Sequence, residues 1–136
     1  MNEHPYNLLV VDDELAVLKM VEVLLRDSPF RVVTATSGEE ALHKANSHAV
    51  DIVLLDIMMP GISGVTVCGH LRANPKLNHV PIVMLTALDD YHTRRQAMQA
   101  GATDLMTKPV GREELIAKLN GVLAESQARS VDSWVG

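Results

Sequence analysis

The sequence is poor in cysteine, in aromatic residues and in long apolar runs, and each scarcity removes a class of protein. Cys68 is the only cysteine. It excludes an internal disulfide and fits a reducing compartment. Tyr6, Phe30, Tyr91 and Trp134 are the only aromatic residues, so the core must be aliphatic. No run approaches the roughly 18 apolar residues of a membrane span, and the polar start Met1–Pro5 lacks the apolar core of a signal peptide. Basic charge is also short. The net charge is −5 and Arg94-Arg95 is the only adjacent basic pair, which excludes a nucleic-acid footprint. The six histidines show no metal-ligand spacing. These readings together predict a cytoplasmic domain with no membrane and no direct nucleic-acid contact.

What is present is ordinary for one globular domain. The chain has 136 residues, 47% of them apolar and 21% charged, enough to bury a core without staples. Strand-like and helix-like segments alternate. Asn7–Val11, Arg31–Ala35, Asp51–Asp56, Pro81–Thr86 and Asp104–Met106 read as buried strands. Between and after them, helices are predicted over Glu14–Ser28, Ser37–Asn46, Val65–Ala73, Asp90–Ala100 and Gly111–Glu125. Ser37 with Glu40 forms a capping box. Gly101 caps the fourth helix, and Pro60-Gly61 with Ser63-Gly64 marks a loop. Such alternation predicts an α/β fold with a parallel sheet and helices on both faces. Residues 1–125 form the domain. Residues 126–136 lack strong periodicity and read as a tail or the start of a linker.

The apolar runs end in acids. Asp12 and Asp13 close the first strand, and Asp56 closes the third. Two unit charges about 4 Å apart repel by roughly 4 kcal/mol at an effective dielectric of 20. A fold keeps such a cluster to hold a cation or to do chemistry. Thr86 and Lys108 fall at or just past the ends of the last two strands, the edge where ligands bind in open parallel sheets.

With Leu9-Val10-Val11-Asp12-Asp13-Glu14, Leu54-Leu55-Asp56-Ile57-Met58-Met59-Pro60-Gly61, Leu85-Thr86-Ala87 and Gly101 to Pro109 in that order, the chain resembles a response-regulator receiver domain of two-component signalling. The resemblance implies a flavodoxin-like (CheY-like) sheet of five strands in the order 2-1-3-4-5. It implies that Asp56 is the phosphoacceptor, with Lys108 pairing the phosphoryl oxygens and Thr86 hydrogen-bonding them. Mg²⁺ is the implied cofactor: Asp13 and Asp56 would bind it directly, Asp12 through water, and Met58 through its backbone carbonyl. Pro109 matches a position that is often preceded by a cis peptide. The implied partners are a sensor histidine kinase or phosphotransfer protein, with an output domain or a second copy as the receiver of the signal. Such a domain is a signalling switch rather than an enzyme in the metabolic sense, catalysing only its own phosphorylation and slow dephosphorylation.

Leu105 departs from the family pattern. A tyrosine or phenylalanine usually stands there and turns inward when the threonine moves toward the phosphate. Leucine offers no flat ring and no hydroxyl, which puts the readout in question but not the phosphorylation. The alternative function is therefore a degenerate receiver that acts as an interaction or dimerisation module.

Overall fold

The computed structural model describes residues 5–135, with side chains up to residue 128. The reading of the first four residues and the side chain of Trp134 lie outside that range. Five strands and five helices alternate: β1 (Tyr6–Val11), α1 (Leu15–Leu24), β2 (Phe30–Ala35), α2 (Gly38–Ser47), β3 (Ile52–Asp56), α3 (Gly64–Ala73), β4 (Ile82–Thr86), α4 (Tyr91–Gln99), β5 (Asp104–Thr107) and α5 (Arg112–Val135). All strand pairs are parallel, and the sheet order is β2-β1-β3-β4-β5. This is the expected architecture.

Strand alternation divides the core into two layers. Leu9, Val53, Leu55, Met84 and Leu105 point to one face and pack with Ala41, Ala45, Val67, Leu71 and Ala97 of α2, α3 and α4. Leu8, Val10, Leu54, Leu85 and Met106 point to the other and meet Leu18 and Val21 of α1 and Leu115, Leu119 and Val122 of α5. β3 and β4 are buried along their whole length, which is why they read as unbroken apolar runs.

The helix starts follow local chemistry. Ser37 Oγ accepts from the Glu40 N–H at 3.1 Å. Glu40 Oε1 reaches back to the N–H of Thr36, at 2.8 Å, one residue earlier than a standard capping box. Asp90 caps α4 through the Thr93 N–H at 2.8 Å.

Two expected helix ends differ. α1 stops at Leu24 and not at Ser28. The chain unwinds through a turn in which Asp27 takes φ 59°, a conformation aspartate tolerates, and the Ser28 N–H donates to Leu25 O. Pro29 forbids further helix. The other difference is α5, which continues to Val135, so the backbone after Glu125 is helical. No glycine or proline occurs from Glu125 to Val135, and extending an existing helix costs far less than nucleating one. Among the described residues, no helix is long and apolar enough to cross a membrane.

Candidate functional site

The register of the sheet assembles the site. Val11 lies beside Leu55, so Asp12 and Asp56 emerge side by side from neighbouring strands. Thr86 lies beside Thr107, and the Lys108 N–H donates to Thr86 O at 2.8 Å, which brings the lysine to the same edge. The Lys108-Pro109 peptide is cis.

The strand ends share one local device. Asp12 Oδ1 accepts from the Glu14 N–H at 2.9 Å, Asp56 Oδ1 from the Met58 N–H at 3.3 Å, and Thr86 Oγ1 from the Leu88 N–H at 3.1 Å. Each is a side-chain turn onto the amide two residues later. Each one fixes a polar side chain where the chain leaves the sheet. These amides belong to the site, yet no side-chain pattern announces them, so sequence reasoning passes them by.

Burial sharpens the electrostatics. Asp12 is 1% exposed, Asp56 3% and Thr86 fully buried, while Asp13 is exposed. Lys108 Nζ lies 2.9 Å from Asp12 Oδ2 and 3.4 Å from Asp56 Oδ1. Removal from water pushes the Asp56 carboxyl from 3.8 up to about 6, and the Asp12 charge adds to that. Lys108 and the Met58 N–H pull the other way and only partly offset it. Burial tends to lower the Lys108 pKa, but its contacts with the two aspartates outweigh that and hold it above the usual lysine value.

One cation does not satisfy this cluster. Asp12 Oδ2 is buried and, despite the nearby ammonium, lacks a well-directed hydrogen bond. Carboxylate oxygens of Asp12, Asp13 and Asp56 lie within 4.8 Å of one another. A small set of hard oxygens open to solvent on one side suits Mg²⁺, which keeps waters and binds few carboxylates. The residues present therefore fit the ion. At Met58 the backbone N–H meets the cluster, and the side chain is 64% exposed.

The sequence-predicted residues separate into two groups. Asp12, Asp13, Asp56 and Lys108 come together, with Thr86 beside Lys108 on the same edge. Leu105 stands apart. It is 5% exposed and lies in the core layer with Met84, Ala97 and Ala102, on the same sheet face as Thr86.

Comparison with known proteins agrees with this geometry. Residues 8–120 match the family described as the response regulator receiver domain. The response regulator PleD of Caulobacter vibrioides is 41% identical over 115 residues, 85% of this chain and 25% of that protein. The alkaline phosphatase synthesis transcriptional regulatory protein PhoP of Bacillus subtilis is 37% identical over 126 residues, 93% of this chain and 52% of that protein. The chain thus spans about half the length, or less, of these relatives. Among solved structures, the chemotaxis protein CheY4 of Vibrio cholerae superposes with a TM-score of 0.83 at 32% identity, over 86% of this chain and 98% of that one. NtrX of Brucella abortus gives 0.87 at 27% identity, over 95% and 29%.

Proposed function

The chain belongs to the response regulator receiver family of two-component signalling, and from that premise we propose that it is a phosphoacceptor switch whose reactive group is Asp56. The observation that carries this reading is the buried Asp56 carboxylate beside a second buried aspartate, with Lys108 bridging both.

A sensor histidine kinase or phosphotransfer protein supplies a phosphohistidine. An Asp56 carboxylate oxygen attacks phosphorus, an O–P bond forms, the N–P bond breaks, and the imidazole nitrogen leaves with the electron pair. A carboxylate is a modest nucleophile, so the site works by positioning and charge compensation. With its pKa near 6, Asp56 is mostly ionised at neutral pH and ready to attack. Lys108 offers a mobile point charge to the phosphoryl oxygens. Thr86 Oγ1 already accepts from the Leu88 N–H, which leaves its own proton free to donate. Asp13, Asp56 and the Met58 carbonyl would hold Mg²⁺ directly and Asp12 through water, and the ion would supply further neutralisation of the carboxylates and phosphoryl oxygens.

Incubation with Mg²⁺ and acetyl phosphate, followed by intact-mass measurement, tests the assignment. One phosphoryl adduct is expected in the wild type, with none in Asp56→Asn and none when Mg²⁺ is chelated. An unmodified wild type, or an undiminished adduct in Asp56→Asn, overturns it.

The residues two past Asp56 and Thr86 are Met58 and Leu88, both exposed and apolar. Neither orients an attacking water as an amide or carboxylate would, so the phosphoryl group is long-lived. A half-life of seconds would contradict this. The setting is cytoplasmic, and the downstream partner is an output domain or a second copy of this chain. The buried Leu105 favours one further reading, an interaction module with a weak phosphorylation readout. Phosphorylation without any change in partner affinity or oligomeric state would support that second reading.

A further inference from the structure

The loop that leaves Asp56, residues 57–63, closes on itself at a narrow neck. The Gly64 N–H donates to Ile57 O at 3.0 Å. A Cβ on Gly64 would lie 2.1 Å from the Asp56 carbonyl oxygen, 2.8 Å from Ile57 Cα and 2.9 Å from the Asp56 carbonyl carbon. All three are backbone atoms, so no rotamer change relieves the clash. Gly64 does not have a positive φ, unlike Gly61 and Gly101. Close approach is therefore what demands glycine here, not backbone conformation. Gly38 makes the contrast: the nearest atoms its Cβ would meet belong to the Ile62 and Val67 side chains and not to backbone. At Gly64 the obstacle is the peptide group of the phosphoacceptor itself.

We propose that Gly64 is a positioning residue for phosphoryl transfer. Its missing side chain lets the first turn of α3 rest against the Asp56–Ile57 peptide and so sets where the Asp56 carboxylate stands relative to Asp12 and Lys108. The same peptide leads to the Met58 N–H that grips Asp56 Oδ1, so displacing it disturbs the carboxylate from both sides. This rests on the reading of Asp56 as the phosphoacceptor. Relieving a 2.1 Å contact takes a shift of about 1 Å, and misplacement on that scale costs up to roughly 100-fold in rate.

The test uses the protein with Mg²⁺ and acetyl phosphate. It reads the initial rate of Asp56 modification per folded molecule and the Mg²⁺ concentration giving half the maximal rate. Gly64→Ala is expected to react about 10- to 100-fold more slowly at saturating Mg²⁺ and donor, with a raised half-saturation for Mg²⁺. Two controls accompany it. Gly101→Ala is strained at φ +105° on the opposite edge of the sheet and serves as a destabilised control. Gly69→Ala enters open space and serves as a neutral one. Both are expected to react within about twofold of wild type per folded molecule. A merely structural role would lower the thermal midpoint of Gly64→Ala and leave its rate untouched. If Gly64→Ala does not fold alone, it is placed in a background carrying Gly69→Ala and Gly121→Ala. Both sites are helical with nothing within 4 Å, and alanine there stabilises. Failure to fold even in that background assigns Gly64 to folding and overturns the proposal. A wild type that takes up no phosphoryl group refutes the reading beneath. A wild type that reacts, with Gly64→Ala within twofold of it, refutes this inference alone.

Discussion

At the scale of single residues, Asp56 is a compromise between reactivity and stability. Its carboxyl is raised from 3.8 to about 6, so the folded protein holds this proton more tightly than the unfolded chain does. Between pH 4 and 6 the native state binds more protons at this position, and stability contributed by the protonated form is lost as pH rises through that window. The full shift corresponds to at most roughly 3 kcal/mol. Urea unfolding of metal-free protein is therefore expected to show stability falling from pH 4 to 6.5 by an amount that disappears in Asp56→Asn. That variant should be the more stable one at pH 7, because Asp12 keeps its lysine. Equal slopes for the two proteins would rule this out. Addition of Mg²⁺ should recover stability in the wild type and not in Asp56→Asn, since only the wild type offers the full ligand set. Lys108 has the opposite sign. Lys108→Met leaves two buried carboxylates unpaired, and a loss of about 3 kcal/mol is expected at pH 7 without metal, measured by the same unfolding method.

At the scale of elements, the far edge of the sheet is held by Arg72 at the end of α3. Its Nε donates to Gly101 O at 2.8 Å, and Nη1 donates to Val80 O at 2.6 Å and Asn78 O at 3.2 Å. The one side chain thus pins the loops that enter β4 and β5. Arg72→Ala strands three carbonyls and is expected to cost about 2–4 kcal/mol in urea unfolding, and Arg72→Lys should not restore it, because an ammonium cannot span the fork. The phosphorylation rate per folded molecule should stay at the wild-type value, the pin lying at the opposite end of the strands from Asp56; a slowed rate would show the two edges to be coupled. None of this is legible in the sequence, where Arg72 is one basic residue in a short helix. The parallel sheet with helices on both faces was readable because burial on two faces leaves unbroken runs such as Ile52–Leu55; the strand order came with the family resemblance and not with the runs. The acid cluster was readable because Asp12, Asp13 and Asp56 close such runs. What escaped is written in the backbone. The Glu14, Met58 and Leu88 amides that hold the site carry no side-chain signature. The neck at Gly64 reads as one more turn glycine, and the end of α1 depends on a left-handed Asp27.

At the scale of the whole molecule, the question is how an event at the edge of β3 reaches a surface a partner would touch. α4 is less anchored in the core than α1, α2 or α3. Its one buried residue is Ala97, and Tyr91 is 77% exposed. A signal biases α4 only if some group prefers different surroundings in the two states. Leu105 is already inside, in register with Met84 and in one layer with Ala97, so it has no outward position to give up. Its N–H is tied to Asp104 Oδ1 at 2.7 Å. Asp104 in turn accepts from Lys118 of α5 at 2.6 Å, which ties β5 to α5, while on the α4 side it feels only the charge of Arg94. Coupling from Asp56 to α4 through residue 105 is therefore expected to be weak in this chain. Hydrogen exchange with and without beryllofluoride and Mg²⁺ measures it directly. Protection should rise in the loops after β1, β3 and β4. Amide exchange across Tyr91–Gln99 should change by less than about twofold. Leu105→Tyr restores a ring able to occupy either position, and in that variant the same addition should slow exchange along α4 well beyond the wild-type change. A large α4 response in the wild type would show that the leucine transmits the signal as it stands, and an unresponsive Leu105→Tyr would place the limit in the helix and not in residue 105.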